Sequence, residues 1–96
     1  MRYKSITQYA LNYTVFEVMG LKYNRIRDMR EDNDLTQSSI AKILNIAQTT
    51  YSGYENGSRN IPVECVIKLA LYYEVSTDYL LGLTKIKKPY PKEWMP

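Results

Sequence analysis

The chain has 96 residues, 13 basic and 10 acidic side chains, a formal net charge of +3, one cysteine (Cys65), no histidine and ten tyrosines. This is one domain's length of chain, and an apolar fraction of 45% suits a globular domain rather than a disordered one. A lone cysteine excludes a disulfide framework or Cys-rich zinc site, the missing histidine excludes a His-based triad or imidazole ligand, and no apolar run approaches the roughly 18 residues of a membrane span.

The first predicted element opens on Ser5-Ile6-Thr7-Gln8, a capping box in which Ser5 and Gln8 each satisfy an exposed backbone N–H. Ile6, Tyr9, Ala10, Tyr13 and Phe16 follow at helical spacing towards a stop at Gly20. The β-branched and aromatic run from Tyr13 to Met19 keeps a strand open there. A second helix is expected from about Leu21 to Asp32 with Ile26 and Met29 inward, ended by the turn signal Asn33-Asp34. Thr36 then caps a helix running through Leu44, with Ile40, Ala41 and Leu44 on its buried side. Ser39 stands where a capping box would place an acidic partner, so the Thr36 cap is expected to stand alone.

Only Asn45-Ile46-Ala47 separates this helix from the next, Gln48 to Glu55, whose large apolar residues are Tyr51 and Tyr54. Asn56-Gly57 is a strong stop, Ser58 to Ile61 a polar loop, and Pro62 suits the first turn of a new helix. Val63, Val66, Ile67, Ala70 and Tyr73 keep helical spacing to about Glu74. Ser76 caps a last short helix, Thr77 to Leu81, and Gly82 ends it. Three prolines in the last eight residues forbid regular helix in the tail.

Two short helices joined by about three residues are the arrangement of a helix-turn-helix. Several linked motifs carry the case further. They are Arg25-Ile26-Arg27 with Met29-Arg30-Glu31, Leu35-Thr36-Gln37 with Ile40-Ala41, and Gln48-Thr49-Thr50 followed by Tyr54-Glu55-Asn56-Gly57. Ile61-Pro62, Ile67-Lys68-Leu69-Ala70 and Val75-Ser76-Thr77-Asp78-Tyr79-Leu80-Leu81-Gly82 complete the set. Through them, from Leu21 to Leu83, the chain resembles the lambda-repressor-like helix-turn-helix family, the Cro/cI type of bacterial and phage regulators. The resemblance implies an all-α, compact five-helix DNA-binding domain at residues 21–84. An extra N-terminal helical segment (1–20) precedes it, and an irregular basic tail rich in proline and aromatics (85–96) follows.

On that resemblance Gln48 to Glu55 is the recognition helix, which lies in the major groove with its N-terminal residues nearest the bases. Gln48 is suited to bidentate pairing with adenine, Thr49 offers a methyl or a hydroxyl, and Ser52 lies one turn on along the same face. Gln37, at a helix N-terminus, is the family's phosphate-contacting glutamine. Asn56, Arg59 and Asn60 in the following loop, and Lys42, are the further phosphate candidates. Arg30 and Glu55 match positions that form a structural ion pair. Ala47 gives up a capping hydroxyl, and Gly53 removes a side chain from the recognition helix at a cost of roughly 1 kcal/mol. Tyr51 and Tyr54 are expected in the core, and Cys65 as a packed rather than reactive residue.

The aromatic N-terminal segment needs an apolar partner, either its own core or its twin across a homodimer. The tail, with Lys85, Lys87, Lys88, Lys92, Tyr90 and Trp94, is either a basic arm on DNA or a strap docked on a neighbouring surface. Residues 1–82 hold nine charges of each sign, so the tail supplies the whole net charge. The expectation is a cytoplasmic regulator of transcription without cofactor, metal, membrane contact or enzymatic activity. It binds double-stranded DNA as a homodimer on a near-palindromic operator, as a repressor. The alternative is an antitoxin-like autoregulator that also binds a partner protein through the N-terminal segment or the tail.

Overall fold

The structure, a computed structural model, describes residues 23–91, so the expected N-terminal helix and the end of the tail, Trp94 included, lie outside the described residues. Among the described residues five α-helices follow one another: α1 (Asn24–Asp32), α2 (Gln37–Leu44), α3 (Gln48–Asn56), α4 (Val63–Tyr73) and α5 (Thr77–Leu81). There is no strand among the described residues. α2 packs on α3, α3 also meets α1, α4 supports α2, and α5 bridges α1 and α4.

Each helix contributes one fully buried side chain to a common core: Ile26, Ile40, Tyr51, Leu69 and Leu80. Met29, Ala41, Leu44, Tyr54, Cys65, Val66, Ala70 and Val75 surround them. The rings of Tyr51 and Tyr54 meet edge to face at 6.5 Å, the geometry that the aromatic quadrupole favours. Burial pushes the Cys65 thiol up, outweighing the opposite pull of Lys68, so the thiol stays protonated and inert near neutral pH.

The helix ends follow local chemistry. Thr36 accepts from the Ser39 amide at 3.0 Å and Ser76 from the Tyr79 amide at 3.0 Å. The Ser39 hydroxyl lies 2.8 Å from the Thr36 hydroxyl and not at the Thr36 amide, so no reciprocal capping box forms and the Thr36 cap stands alone, as expected. Gly57 and Gly82 end α3 and α5 with φ of 83° and 86°. Asn45 ends α2 in the same left-handed region, so the three-residue turn into α3 reverses sharply. Pro62 is the N-cap of α4 rather than part of its first turn. Its ψ of 152° is extended, and helical dihedrals begin at Val63.

The phase of α4 departs from the apolar spacing in sequence. Cys65, Val66, Leu69 and Ala70 face inward, whereas Val63 is 71% exposed and Ile67 37% exposed. The four inward residues form a stripe that meets α2 and α5, leaving Val63, Ile67 and Leu71 along the outer side.

The tail returns over the domain. The Ser76 amide donates to the Lys87 carbonyl at 3.1 Å, and the Tyr90 hydroxyl donates to the Asp78 carboxylate. At the other end of α5, the Arg25 guanidinium donates to the carbonyls of Tyr79, at 2.8 Å, and Thr84. It also stacks 4.2 Å from the Tyr79 ring centre, tying the start of α1 to the chain that leaves the fold.

Candidate nucleic-acid interface

An Arg30–Glu55 ion pair ties α1 to α3 and is joined from the α2 side by Leu35 and Gln37. The Arg30 Nε donates to Glu55 Oε2 at 2.7 Å and Nη2 donates to Oε1 at 3.0 Å, a planar two-bond fork. Nη1 of the same guanidinium donates to the Leu35 carbonyl at 2.9 Å, in the approach to α2. Gln37 Nε2 donates to Glu55 Oε1 at 3.1 Å. One carboxylate on α3 thus collects α1 through Arg30 and α2 through Gln37. Burial alone raises the Glu55 carboxyl, but Arg30, then the nearby Tyr51 hydroxyl and Gln37, overcome it and hold the group below the usual carboxylate range. The bond to Glu55 raises the Arg30 guanidinium further still.

Tyr51 and Tyr73 lie close by. Both hydroxyls are buried without a hydrogen-bond partner among the described residues. Burial, then Tyr72 and Glu55, push the Tyr73 hydroxyl up to about 12, and burial drives Tyr51 in the same direction. Neither ionises in any ordinary pH range.

Above the ion pair, Arg27, Arg30, Gln37, Ser52, Glu55 and Asn56 line one shallow polar depression of about 250 Å³. Three of the eight DNA-contact candidates therefore come together with the Arg30–Glu55 pair: Gln37 as the first residue of α2, and Ser52 and Asn56 on α3. Gln48 and Thr49 are exposed at the N-terminus of α3, one turn before Ser52. Arg59 and Asn60 are exposed in the loop after α3, and Lys42 is exposed near the C-terminus of α2. These five lie outside the depression. Asn56 also spends its side-chain oxygen on the Ser58 amide at 2.8 Å, which leaves its NH₂ as the group available to a ligand.

Arg27 is the residue that sequence reasoning did not single out. It sits one turn before Arg30 and pairs with Glu31 at 2.7 Å, half-exposed at the rim of the depression. Its only sequence signal was that spacing within the Arg25-Ile26-Arg27 motif.

Both helix N-termini offer backbone donors. At α2 the Thr36 hydroxyl takes the Ser39 amide, so the Gln37 and Ser38 amides keep no partner among the described residues. At α3 Ala47 supplies no capping side chain, so the first amides of the helix stay open beside Gln48 and Thr49. The arrangement presents N–H groups and neutral amides to an anion, with two arginines behind them. Among the described residues no group of His, Cys, Asp and Glu is placed to hold a metal ion, and no helix is long and apolar enough to cross a membrane.

Comparison with known proteins agrees with this geometry. The helix-turn-helix family model matches residues 26–80. The chain is 37% identical over 76 residues to the uncharacterized HTH-type transcriptional regulator YobD of Bacillus subtilis (strain 168), covering 74% of this chain and 68% of that protein. It is 38% identical over 59 residues to the cryptic phage CTXphi transcriptional repressor RstR of Vibrio cholerae, covering 62% and 53%. It is 31% identical over 64 residues to the antitoxin PezA of Streptococcus pneumoniae serotype 4 (strain ATCC BAA-334 / TIGR4), covering 67% and 40%. The match thus spans about two-thirds of the first relative, half of the second and two-fifths of the third. No solved structure matches the chain at a significant level. With the five helices of its described residues, its three-residue α2–α3 turn and this match, the chain belongs to the Cro/cI-type helix-turn-helix family of DNA-binding transcriptional regulators.

Proposed function

We propose that the chain is a sequence-specific repressor that binds a near-palindromic operator as a homodimer, with α3 of each copy in one major groove. The observation that carries this reading is the polar face of α3, with Gln48 and Thr49 exposed and Ser52 half-buried, continuous with the depression at Gln37 and Asn56. Gln48 reads adenine through its two-ended carboxamide, with Thr49 and Ser52 completing the base contacts. Gln37, Asn56, Arg59, Asn60 and Lys42 meet phosphates on either side, while Arg30 and Glu55 hold the frame. Residues 21–84 are the DNA-binding unit.

The homodimer is supported by the outer side of α4. Val63, Ile67 and Leu71 stand one turn apart and are 71%, 37% and 43% exposed. Apolar grooves lie on both flanks, one containing Leu71, Val75 and Pro89 and the other Tyr23, Ile61 and Leu81. Such a patch favours a protein partner over water. A dimer with its two α3 helices about 34–36 Å apart matches one turn of DNA.

A second reading is an antitoxin-like autoregulator, favoured by the likeness to PezA. In it the same apolar side of α4 and the flanking ends receive a toxin rather than a second copy. Selection of binding sites from random duplex DNA, run with the parent chain and with Gln48→Ala, tests the primary reading. The parent should enrich a palindromic motif, and the variant should lose an adenine preference from each half. Recovery of no motif by the parent would overturn specific readout, and an unchanged motif in the variant would remove Gln48 from the bases.

A further inference from the structure

Gly53 sits within α3 at a helical position, so no turn or positive φ calls for glycine there. A glycine inside a helix costs roughly 1 kcal/mol against alanine. Its surroundings supply the reason. A methyl group at position 53 would stand 2.8 Å from Cδ and 2.9 Å from Cγ of Arg59, and 3.1 Å from the Ser58 hydroxyl. The Arg59 stem lies across the bare backbone of α3, and the Arg59 amide donates to the Gly53 carbonyl at 3.1 Å. Gly53 follows Ser52 and precedes Asn56 by three residues, on the face that also carries Gln48 and Thr49. The slot left by the missing side chain is therefore filled by an arginine from the loop.

Arg59 also differs from its neighbours in what its fork is doing. Arg25 holds two carbonyls, Arg27 holds Glu31, and Arg30 holds Glu55 and Leu35. The Arg59 guanidinium makes no hydrogen bond or ion pair among the described residues, and the residue is exposed. The stem rests against α3 while the guanidinium stays uncommitted, an arrangement that lowers the entropy cost of a phosphate contact.

We propose that Gly53 is a positioning residue, whose missing side chain seats the Arg59 stem on α3 and so presents the Arg59 guanidinium to a DNA phosphate beside the base-facing residues. This rests on the DNA-binding reading above. It identifies the glycine as part of the binding apparatus rather than as a gap in it.

The test uses the full chain as parent, Gly53→Ala, Arg59→Ala and the double variant, each titrated on a labelled mixed-sequence duplex over a range of salt. Arg59 can swing aside, so Gly53→Ala should fold, with unchanged helicity and a thermal midpoint no lower than the parent's. All three variants should nevertheless bind about tenfold more weakly. Each should lose about 0.9 from the slope of log affinity against log salt, the signature of one phosphate released. The double variant should be no worse than Arg59→Ala. In the free parent, nuclear Overhauser contacts between the Gly53 Hα protons and the Arg59 methylenes should be present. Their absence would overturn the seating whatever the DNA result. Parental affinity and slope in Gly53→Ala, additive losses in the double variant, or an unaffected Arg59→Ala would each overturn the positioning role. A parent that binds no duplex at low salt overturns the underlying reading, and the positioning role with it, even where the Overhauser contacts are seen.

Discussion

Arg30 on α1 and Glu55 on α3 are locked by two parallel bonds of 2.7 and 3.0 Å, although 25 residues separate them in sequence. The Glu55 side chain is 4% exposed and that of Arg30 13%, so water cannot replace either partner cheaply. Removing the carboxylate strands a buried cation and frees Gln37 at once. Glu55→Ala should cost about 3 kcal/mol, within the range seen when one member of a buried pair is lost. In a domain of this size that lowers the thermal midpoint by roughly 12–24 °C. Arg30→Lys should recover little of Arg30→Ala, because an ammonium cannot make the fork. Arg27→Ala, which breaks the solvent-exposed pair with Glu31, should leave the midpoint unchanged. Calorimetry on the variants checks this ordering, and a Glu55→Ala midpoint within error of the parent's would remove the pair from the fold's support.

The same carboxylate sets an acid limit. Glu55 is held below its unfolded value of roughly 4.3, so the folded state binds the proton less readily than the unfolded chain. Its contribution is therefore complete above that value and is lost as pH falls through the lower, folded one. The urea midpoint should be flat from about pH 7 to pH 5 and fall below about pH 4. Glu55→Gln should start lower at neutral pH and lose stability less steeply on acidification. Identical slopes for the two proteins below pH 4 would show that other carboxylates govern the acid limb.

The caps and stops at Thr36, Ser76, Gly57 and Gly82 were legible in the sequence because each acts within a few residues of itself. The inward residues of α1 and α2 were legible for a similar reason, each having one apolar stripe. α4 offers two: Val63 with Ile67, and Val66 with Ala70, both at helical spacing. Only the facing helices choose between them, and they choose the stripe centred on Leu69, which is fully buried. Leu69→Ala should thus cost about 2–5 kcal/mol, the usual range for a buried leucine, while Val63→Ala should change stability little. Equal urea midpoints for these two variants would overturn the phase of α4.

The interface was legible one residue at a time and not as an arrangement. Gln37 and Ser52 could be nominated from a helix end and from helical spacing, and Asn56 from the family resemblance. That they share a depression with Arg27 and Arg30 depends on how α1 crosses α3, which is long-range packing. The Arg25 clamp on Tyr79, 54 residues away, was invisible for the same reason. The seat of Arg59 was hidden differently: in sequence Gly53 reads as an omission, and its purpose is visible only with the loop folded back on it.

The outer side of α4 yields the last prediction. Ile67 and Leu71 are exposed, make no part of the buried core, and Ile67 lines both apolar grooves. A charge there costs the monomer little but is expensive when buried against a second copy. Ile67→Asp and Leu71→Asp should keep the parental thermal midpoint at low protein concentration and the parental affinity for a single half-site. They should convert a dimer to a monomer by light scattering and weaken binding to the two-half-site operator at least tenfold, since the two recognition helices then bind independently. If both variants remain dimeric with parental operator affinity, the dimer is built on another surface. If the parent itself is monomeric on and off DNA, the apolar side of α4 is left for a different protein, as the antitoxin-like reading requires.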